Sequence, residues 1–148
     1  MTNEAFAPFQ HLAADLLKHL PADHSDGSHD LSHIHRVWVN AQRIQHVEGG
    51  DLEVLLAAVL LHDCVAVEKN SPLRGQASTL SAQKATSILA DMGWPTQRID
   101  QVAHAVKTHS YSAGIEPLTL EARILQDSDR LDAIGAVGIA RCLSLIHI

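Results

Sequence analysis

An apolar run that ends in a histidine and an aspartate constrains this chain more than any other feature. Eight consecutive apolar residues, 54–61, predict a buried helix, and His62-Asp63 follows them directly. A carboxylate at the inner end of a buried helix is costly unless another group pairs with it. A metal ion would satisfy the imidazole and the carboxylate together, and the alternative is a helix-ending cap with a salt bridge.

The remaining sequence favours an all-α fold. Hydrophobic residues make up 46% of the chain and aromatic residues only 3%, so Leu, Ile, Val and Ala must form most of the core. The length of 148 residues suits a single domain over 1–148. Periodic apolar positions predict about six to seven helices, near 4–20, 32–47, 52–63, 78–92, 95–109, 118–126 and 128–142.

Charge and cysteine content exclude several classes of protein. The net charge is −6 and there is no basic tract, so duplex nucleic acid is not an expected partner. A small phosphorylated substrate needs only a local positive site. Cys64 and Cys142 make neither a metal-binding pair nor a disulfide framework, which indicates a cytoplasmic protein. No signal peptide is evident, and no apolar run is long enough to cross a membrane.

Further histidines and aspartates are available to complete a site around His62-Asp63. His29 and His33 are four residues apart and would share a helix face. Two imidazoles and two carboxylates suit a divalent transition metal that keeps open water positions. The candidates are His29, Asp30, His33, His35, His62, Asp63, His104, His109, Asp127, Asp129 and Asp132.

The order of these residues resembles the HD-domain superfamily of metal-dependent phosphohydrolases. A lone histidine is followed by an adjacent His-Asp pair and then by a distant aspartate. Four segments are similar to motifs of its YedJ-like bacterial branch, and the similarity spans roughly 26–142. They are His29-Asp30-x-x-His33-Ile34-x-Arg36-Val37, Leu61-His62-Asp63 with Lys69-Asn70, Thr108-His109-Ser110-Tyr111-Ser112, and Gln126-Asp127-Ser128-Asp129-Arg130-Leu131-Asp132-Ala133-Ile134-Gly135-Ala136.

The resemblance implies an HD-domain helical bundle that binds one divalent metal ion. The ligands it implies are His33, His62, Asp63 and a late aspartate. Asp129 is favoured for that position because it stands before Arg-Leu, and Asp127 is the alternative. Asp127 would otherwise cap the last helix or orient one of the metal ligands through a hydrogen bond. Oxygen and imidazole ligands accept several metals, so Mn, Mg, Co, Ni, Fe and Zn all remain open.

The resemblance also implies hydrolysis of a nucleotide or a related small phosphate ester or anhydride by a metal-activated water. Asp63, Lys69 and His109 would be catalytic, with Asp63 orienting the water and His109 donating to a phosphate oxygen or leaving group. Arg36, Lys69, Arg74 and His109 would contact the substrate. The alternative is a catalytically silent regulatory module that binds a metal or a nucleotide.

The C-terminal end of the sequence is unusual. The chain breaks off within a predicted helix, and its last six residues, 143–148, resemble read-through into a sequencing adapter. We therefore expect that the C-terminal part of the natural domain is missing and that 143–148 is non-native. Later helices would cover the site or form a homodimer interface. Their loss would expose apolar surface near Ile134, Val137 and Ile139.

Overall fold

The computed structural model describes residues 3–21 and 31–135. Within these ranges the chain forms α-helices and short 3-10 helices and no β-strand, which confirms the predicted all-α class. The α-helices are α1 (Gln10–Leu17), α2 (Leu31–Glu48), α3 (Leu52–Leu61), α4 (Ala77–Asp91), α5 (Thr96–Thr108) and α6 (Leu120–Ile134). The 3-10 helices are Asn3–Phe6, Arg74–Gln76 and Tyr111–Ala113.

The apolar run forms the central helix of the bundle, as predicted. Every residue of 54–61 is buried, and α3 contacts each of the other five helices. A helix that is apolar on all sides is stable only inside a core, where each large side chain contributes about 1.5–3 kcal/mol. The helix begins at Asp51, whose carboxylate accepts hydrogen bonds from the backbone N–H groups of Glu53 and Val54 at 3.0 and 3.1 Å.

Two side-chain contacts fix α6 against its neighbours. Asn40 on α2 donates from Nδ2 to the carbonyl oxygen of Ser128 at 3.3 Å. Gln126 donates from Nε2 to the carbonyl oxygen of Thr108, at the end of α5, at 3.0 Å. These contacts bring the middle of α6 beside the middle of α2 and the end of α5. The C-terminal end of α3 reaches the same region.

The first predicted helix is interrupted. Instead of one helix over 4–20, the chain forms a 3-10 helix at Asn3–Phe6 and then α1 from Gln10 to Leu17. Pro8 explains the break, because proline has no backbone N–H and disfavours a helical conformation at the residue before it.

The two helices predicted near 118–126 and 128–142 are one helix over the residues described, Leu120–Ile134. No glycine or proline interrupts this stretch, so nothing in its composition ends the helix early. Its start is capped by Thr119, whose hydroxyl accepts a hydrogen bond from the N–H of Ala122 at 3.1 Å. Asp127 therefore lies inside a helix, and the alternative that it caps one is wrong.

Several predictions concern residues outside the described ranges. His29, Asp30, Cys142, Val137, Ile139 and 143–148 belong to this group. At the end of α6, Ile134 is 70% exposed. Among the described helices, none combines the length and apolar character needed to cross a bilayer. The single domain over 1–148, the cytoplasmic location and the homodimer stay predictions.

Candidate metal centre

A histidine from α2, a histidine after α3 and an aspartate from α6 meet at one point. Nε2 of His33 lies 3.2 Å from Oδ1 of Asp129, and Nε2 of His62 lies 3.8 Å from the same oxygen. One ligand atom from each of the three residues falls within 4.8 Å of the others. Atoms that share a metal at about 2.1 Å are separated by about 3 to 3.5 Å, so small adjustments suffice to hold an ion.

A second group shares His62 with the first. Oδ2 of Asp63 lies 3.0 Å from Nε2 of His62, and Oδ1 of Asp63 lies 3.5 Å from Nε2 of His109. The rings of His62 and His109 meet edge to face, with centroids 4.9 Å apart. Asp63 thus stands between two imidazoles. His109 was predicted to be catalytic and to contact the substrate, but its proximity to Asp63 was not predicted.

The orientation of the imidazole rings fits a divalent metal ion. Nδ1 of His62 donates to the carbonyl oxygen of Val59 at 2.6 Å, and Nδ1 of His109 donates to that of Val106 at 2.5 Å. A carbonyl oxygen can only accept a hydrogen bond, so Nδ1 carries a proton in both rings. The other ring nitrogen, Nε2, points inward toward the cluster. Nε2 of His62 is buried and makes no well-aligned hydrogen bond. A metal ion would satisfy it.

The electrostatics of the site also favour a cation. Burial alone would lower the pKa of His62, but the negative charges of Asp63 and Asp129, with hydrogen bonds, raise that pKa to about 10. Burial would raise the pKa of Asp129, yet its hydrogen bond with His33 and the neighbouring imidazoles lower it. The carboxylate therefore stays ionised, and without a metal a proton takes the place of the cation on His62.

The structure separates the two candidate late aspartates. Asp129 is partly buried between His33 and His62, whereas Asp127 is exposed. Two residues along an α-helix correspond to a rotation of about 200°, so the two carboxylates point to opposite sides of α6. Asp129 is the aspartate that the fold brings to the cluster.

Arg36 contacts an aspartate of α6. Its Nε donates to Oδ1 of Asp132 at 2.6 Å, and Asp132 also contacts Nδ1 of His33 through Oδ2 at 2.7 Å. Arg36 lines a groove of about 360 Å³ between α2 and α6 instead of the space above the cluster. The guanidinium of Arg36 thus contacts the acidic Asp132 of α6 and does not line the cavity above the cluster, and the predicted contact between Arg36 and the substrate stays a prediction.

A cavity of about 950 Å³ opens over the cluster. Lys69 and Arg74 both line it, and both are exposed. Arg74 also donates from Nη1 to the carbonyl oxygen of Val67 at 2.8 Å, which holds this loop in place. The residues of the two clusters also line the cavity: His33, His62, Asp63, His109 and Asp129.

Tyr111 and Arg130 form part of the cavity wall and are not among the predicted site residues. The guanidinium carbon of Arg130 lies 4.3 Å from the ring centroid of Tyr111, and both side chains are exposed. The sequence did point to Tyr111 as a site residue, because it lies two residues after His109 in the same motif. The pairing itself joins a loop to α6 and has no local sequence signature.

Two other candidate histidines serve different parts of the fold. His104 accepts a hydrogen bond at Nε2 from the backbone N–H of Leu118 at 2.9 Å, which supports the loop before α6. His35 lines the groove that contains Arg36. Neither residue belongs to the described clusters that could hold a metal.

The chain belongs to the HD domain family, whose sequence pattern matches residues 30–134. This result confirms the predicted membership of the HD superfamily and of its bacterial branch. One relative is YpgQ of Bacillus subtilis, an uncharacterized protein that is 37% identical over 123 residues. The match covers 80% of this chain and 57% of YpgQ, so the chain spans little more than half the length of that relative.

Solved structures show the same fold. A predicted HD superfamily hydrolase from an uncultured Thermotogales bacterium matches with a TM-score of 0.71 and 35% identity, over 93% of this chain and 75% of the other. Bacillus subtilis YpgQ in complex with ADP matches with a TM-score of 0.65 and 31% identity, over 98% of this chain and 67% of YpgQ.

Proposed function

We propose that this chain is a metal-dependent phosphohydrolase that acts on a nucleotide or a related small phosphate ester or anhydride. The supporting observation is a cluster of histidines and carboxylates at the inner end of a cavity whose wall carries Lys69 and Arg74. Cationic side chains beside a metal cluster suit a ligand that carries phosphate groups. The ADP bound to YpgQ adds support for a nucleotide.

In this proposal His33, His62, Asp63 and Asp129 hold one divalent ion, with Mn, Mg, Co, Ni, Fe and Zn as candidates. When bound, the ion supplies Lewis acidity, which polarises a phosphoryl oxygen and lowers the pKa of a water. Asp63 accepts a hydrogen bond from the attacking water and thereby orients it. This role agrees with its partial exposure at the cavity and its position between His62 and His109.

His109 is the proposed proton donor. Its Nδ1 is engaged with the Val106 carbonyl, so a second proton on Nε2 makes the ring an imidazolium. In that form Nε2 can donate to a phosphate oxygen or to the leaving group. Oδ1 of Asp63 lies 3.5 Å from this Nε2, so the two side chains face the same part of the cavity.

Side chains in the cavity walls contact the rest of the substrate in this proposal. Lys69 and Arg74 neutralise phosphate charge. Tyr111, with Arg130 against its ring, offers a flat surface on which a nucleobase can stack. The aliphatic side chains of Val65 and Val67 line the same space and suit the apolar faces of a nucleoside.

The test measures phosphate and pyrophosphate release from a panel of nucleotides with Mn²⁺, Mg²⁺, Co²⁺ or Ni²⁺. We expect metal-dependent release by the native protein, its loss in Asp63→Ala, and its retention in the matched control Asp127→Ala on the exposed side of α6. Equal activity of the native protein and Asp63→Ala would refute the proposal. Stoichiometric metal binding without release would instead favour the silent regulatory module.

A further inference from the structure

A buried carboxylate stands behind His33 on the side away from the cluster. Oδ2 of Asp132 lies 2.7 Å from Nδ1 of His33, and the two side chains are only 4% and 6% exposed. A carboxylate can only accept, so Nδ1 of His33 is the donor in this contact. The opposite ring nitrogen, Nε2, then faces Asp129 at 3.2 Å.

Asp132 is in turn held by Arg36. Nε of Arg36 donates to Oδ1 at 2.6 Å, and Nη2 donates to Oδ2 at 3.4 Å. The guanidinium therefore contacts both carboxylate oxygens. Burial would raise the pKa of Asp132, but the hydrogen bonds from Arg36 and His33 lower it. Both carboxylate oxygens of Asp132 thus have a donor, Oδ1 from Arg36 and Oδ2 from His33.

The sequence spacing of these residues explains how they meet. Arg36 lies three residues after His33 on α2, and Asp132 lies three residues after Asp129 on α6. Residues three apart are neighbours on one face of a helix. Where α2 crosses α6, one pair faces the other: His33 meets Asp129 in the cluster, and Arg36 meets Asp132 one turn behind it.

We propose that Asp132 is a positioning residue that orients His33 toward the metal, and that Arg36 fixes Asp132 in that role. The inference rests on the metal site of the proposed function. Metal-binding histidines generally donate their other ring N–H to a carboxylate or a carbonyl, which sets the tautomer and the ring orientation. His62 uses a main-chain carbonyl for this purpose, whereas His33 uses a charged side chain.

The rival explanation is that Arg36 and Asp132 only join α2 to α6. The two explanations differ in what an isosteric substitution changes. A helix-joining contact contributes to folding stability and leaves the affinity of the folded protein for a metal unaltered. A positioning contact changes the affinity for the metal. Without it, the imidazole of His33 must lose its rotational freedom when the ion binds, and this cost weakens binding.

The test titrates Mn²⁺ into the metal-free protein by calorimetry and records thermal unfolding of the same samples. We expect Asp132→Asn to weaken Mn²⁺ binding by about 10- to 100-fold, the usual effect of removing such a partner. Asp127→Asn makes the same charge change on the exposed side of the same helix and should bind Mn²⁺ like the native protein. Native affinity in a folded Asp132→Asn protein would overturn the inference, even if the unfolding temperature falls.

Two further measurements keep the test decisive. With Zn²⁺ bound, the Nδ1 proton of His33 should give a strongly downfield proton resonance that moves upfield in Asp132→Asn, and an unmoved resonance counts against the inference. Arg36→Lys keeps the charge but loses the two-pronged contact. It should weaken Mn²⁺ binding several-fold. If Asp132→Asn does not fold, native affinity in Arg36→Lys overturns the inference.

None of these readouts requires turnover. A native protein that binds Mn²⁺ but releases no phosphate would count against the proposed hydrolase and leave this inference standing. Native Mn²⁺ affinity in Asp132→Asn would count against this inference and leave the hydrolase standing. A native protein that binds none of the metals would overturn both.

Discussion

Metal binding should depend steeply on pH because His62 must lose a proton before it can bind an ion. The pKa of this imidazole is raised from 6.5 to about 10, since the charges of Asp63 and Asp129 outweigh the effect of burial. A metal ion competes with that proton. Well below this pKa, each increase of one pH unit should strengthen the apparent affinity about tenfold, which corresponds to about 1.4 kcal/mol.

Calorimetric titration with Mn²⁺ between about pH 6 and pH 8, in two buffers of different ionisation enthalpy, measures this effect directly. About one proton should be released per ion bound, and the affinity should rise about 100-fold over that range. His11→Asn, at an exposed histidine outside the cluster, should give the same slope. Affinity that does not change with pH, without proton release, would refute the reasoning about His62.

Three other predictions address the core and the cavity. Leu55→Ala should lower the free energy of unfolding in urea by about 2–5 kcal/mol because the side chain is fully buried, whereas Val47→Ala, at a position 80% exposed, should change it little. Lys69→Met should raise KM for a nucleotide without weakening Mn²⁺ binding, and the exposed Lys107→Met should do neither. Tyr111→Ala should raise KM for a nucleotide at least about fivefold, whereas Tyr111→Phe should not, because the face of the ring is the proposed contact. Equal KM values for the two variants would refute the stacking role.

The parts of the fold that depend on neighbouring residues were predictable from the sequence. The apolar run requires a buried helix, and Asp51 caps it by reaching the second and third residues beyond itself. The break at Pro8 follows from an equally local rule, yet the apolar spacing across 4–20 obscured it. The central helix and its polar end were thus accessible without a structure.

The parts that depend on how helices cross were not predictable in the same way. Arg36 was expected to face the substrate because it follows His33 by one turn. Its partner Asp132 lies 96 residues away in the sequence, and only the crossing of α2 and α6 brings the two together. The contact between His109 and Asp63 likewise depends on how the end of α5 meets the end of α3. Sequence spacing indicates which residues share a helix face, but not which residues of other helices that face contacts.

The position of His62 at the end of the central helix links ligand binding to amide hydrogen exchange throughout the protein. Because α3 contacts all five other described α-helices, its amides should become exposed to solvent only when the whole bundle opens. An ion held at the end of α3 binds the closed bundle and not the open chain, so it reduces the population of that open state. Exchange should therefore slow by the same factor at all amides of α3, while the exposed amides around Lys69 continue to exchange through local openings.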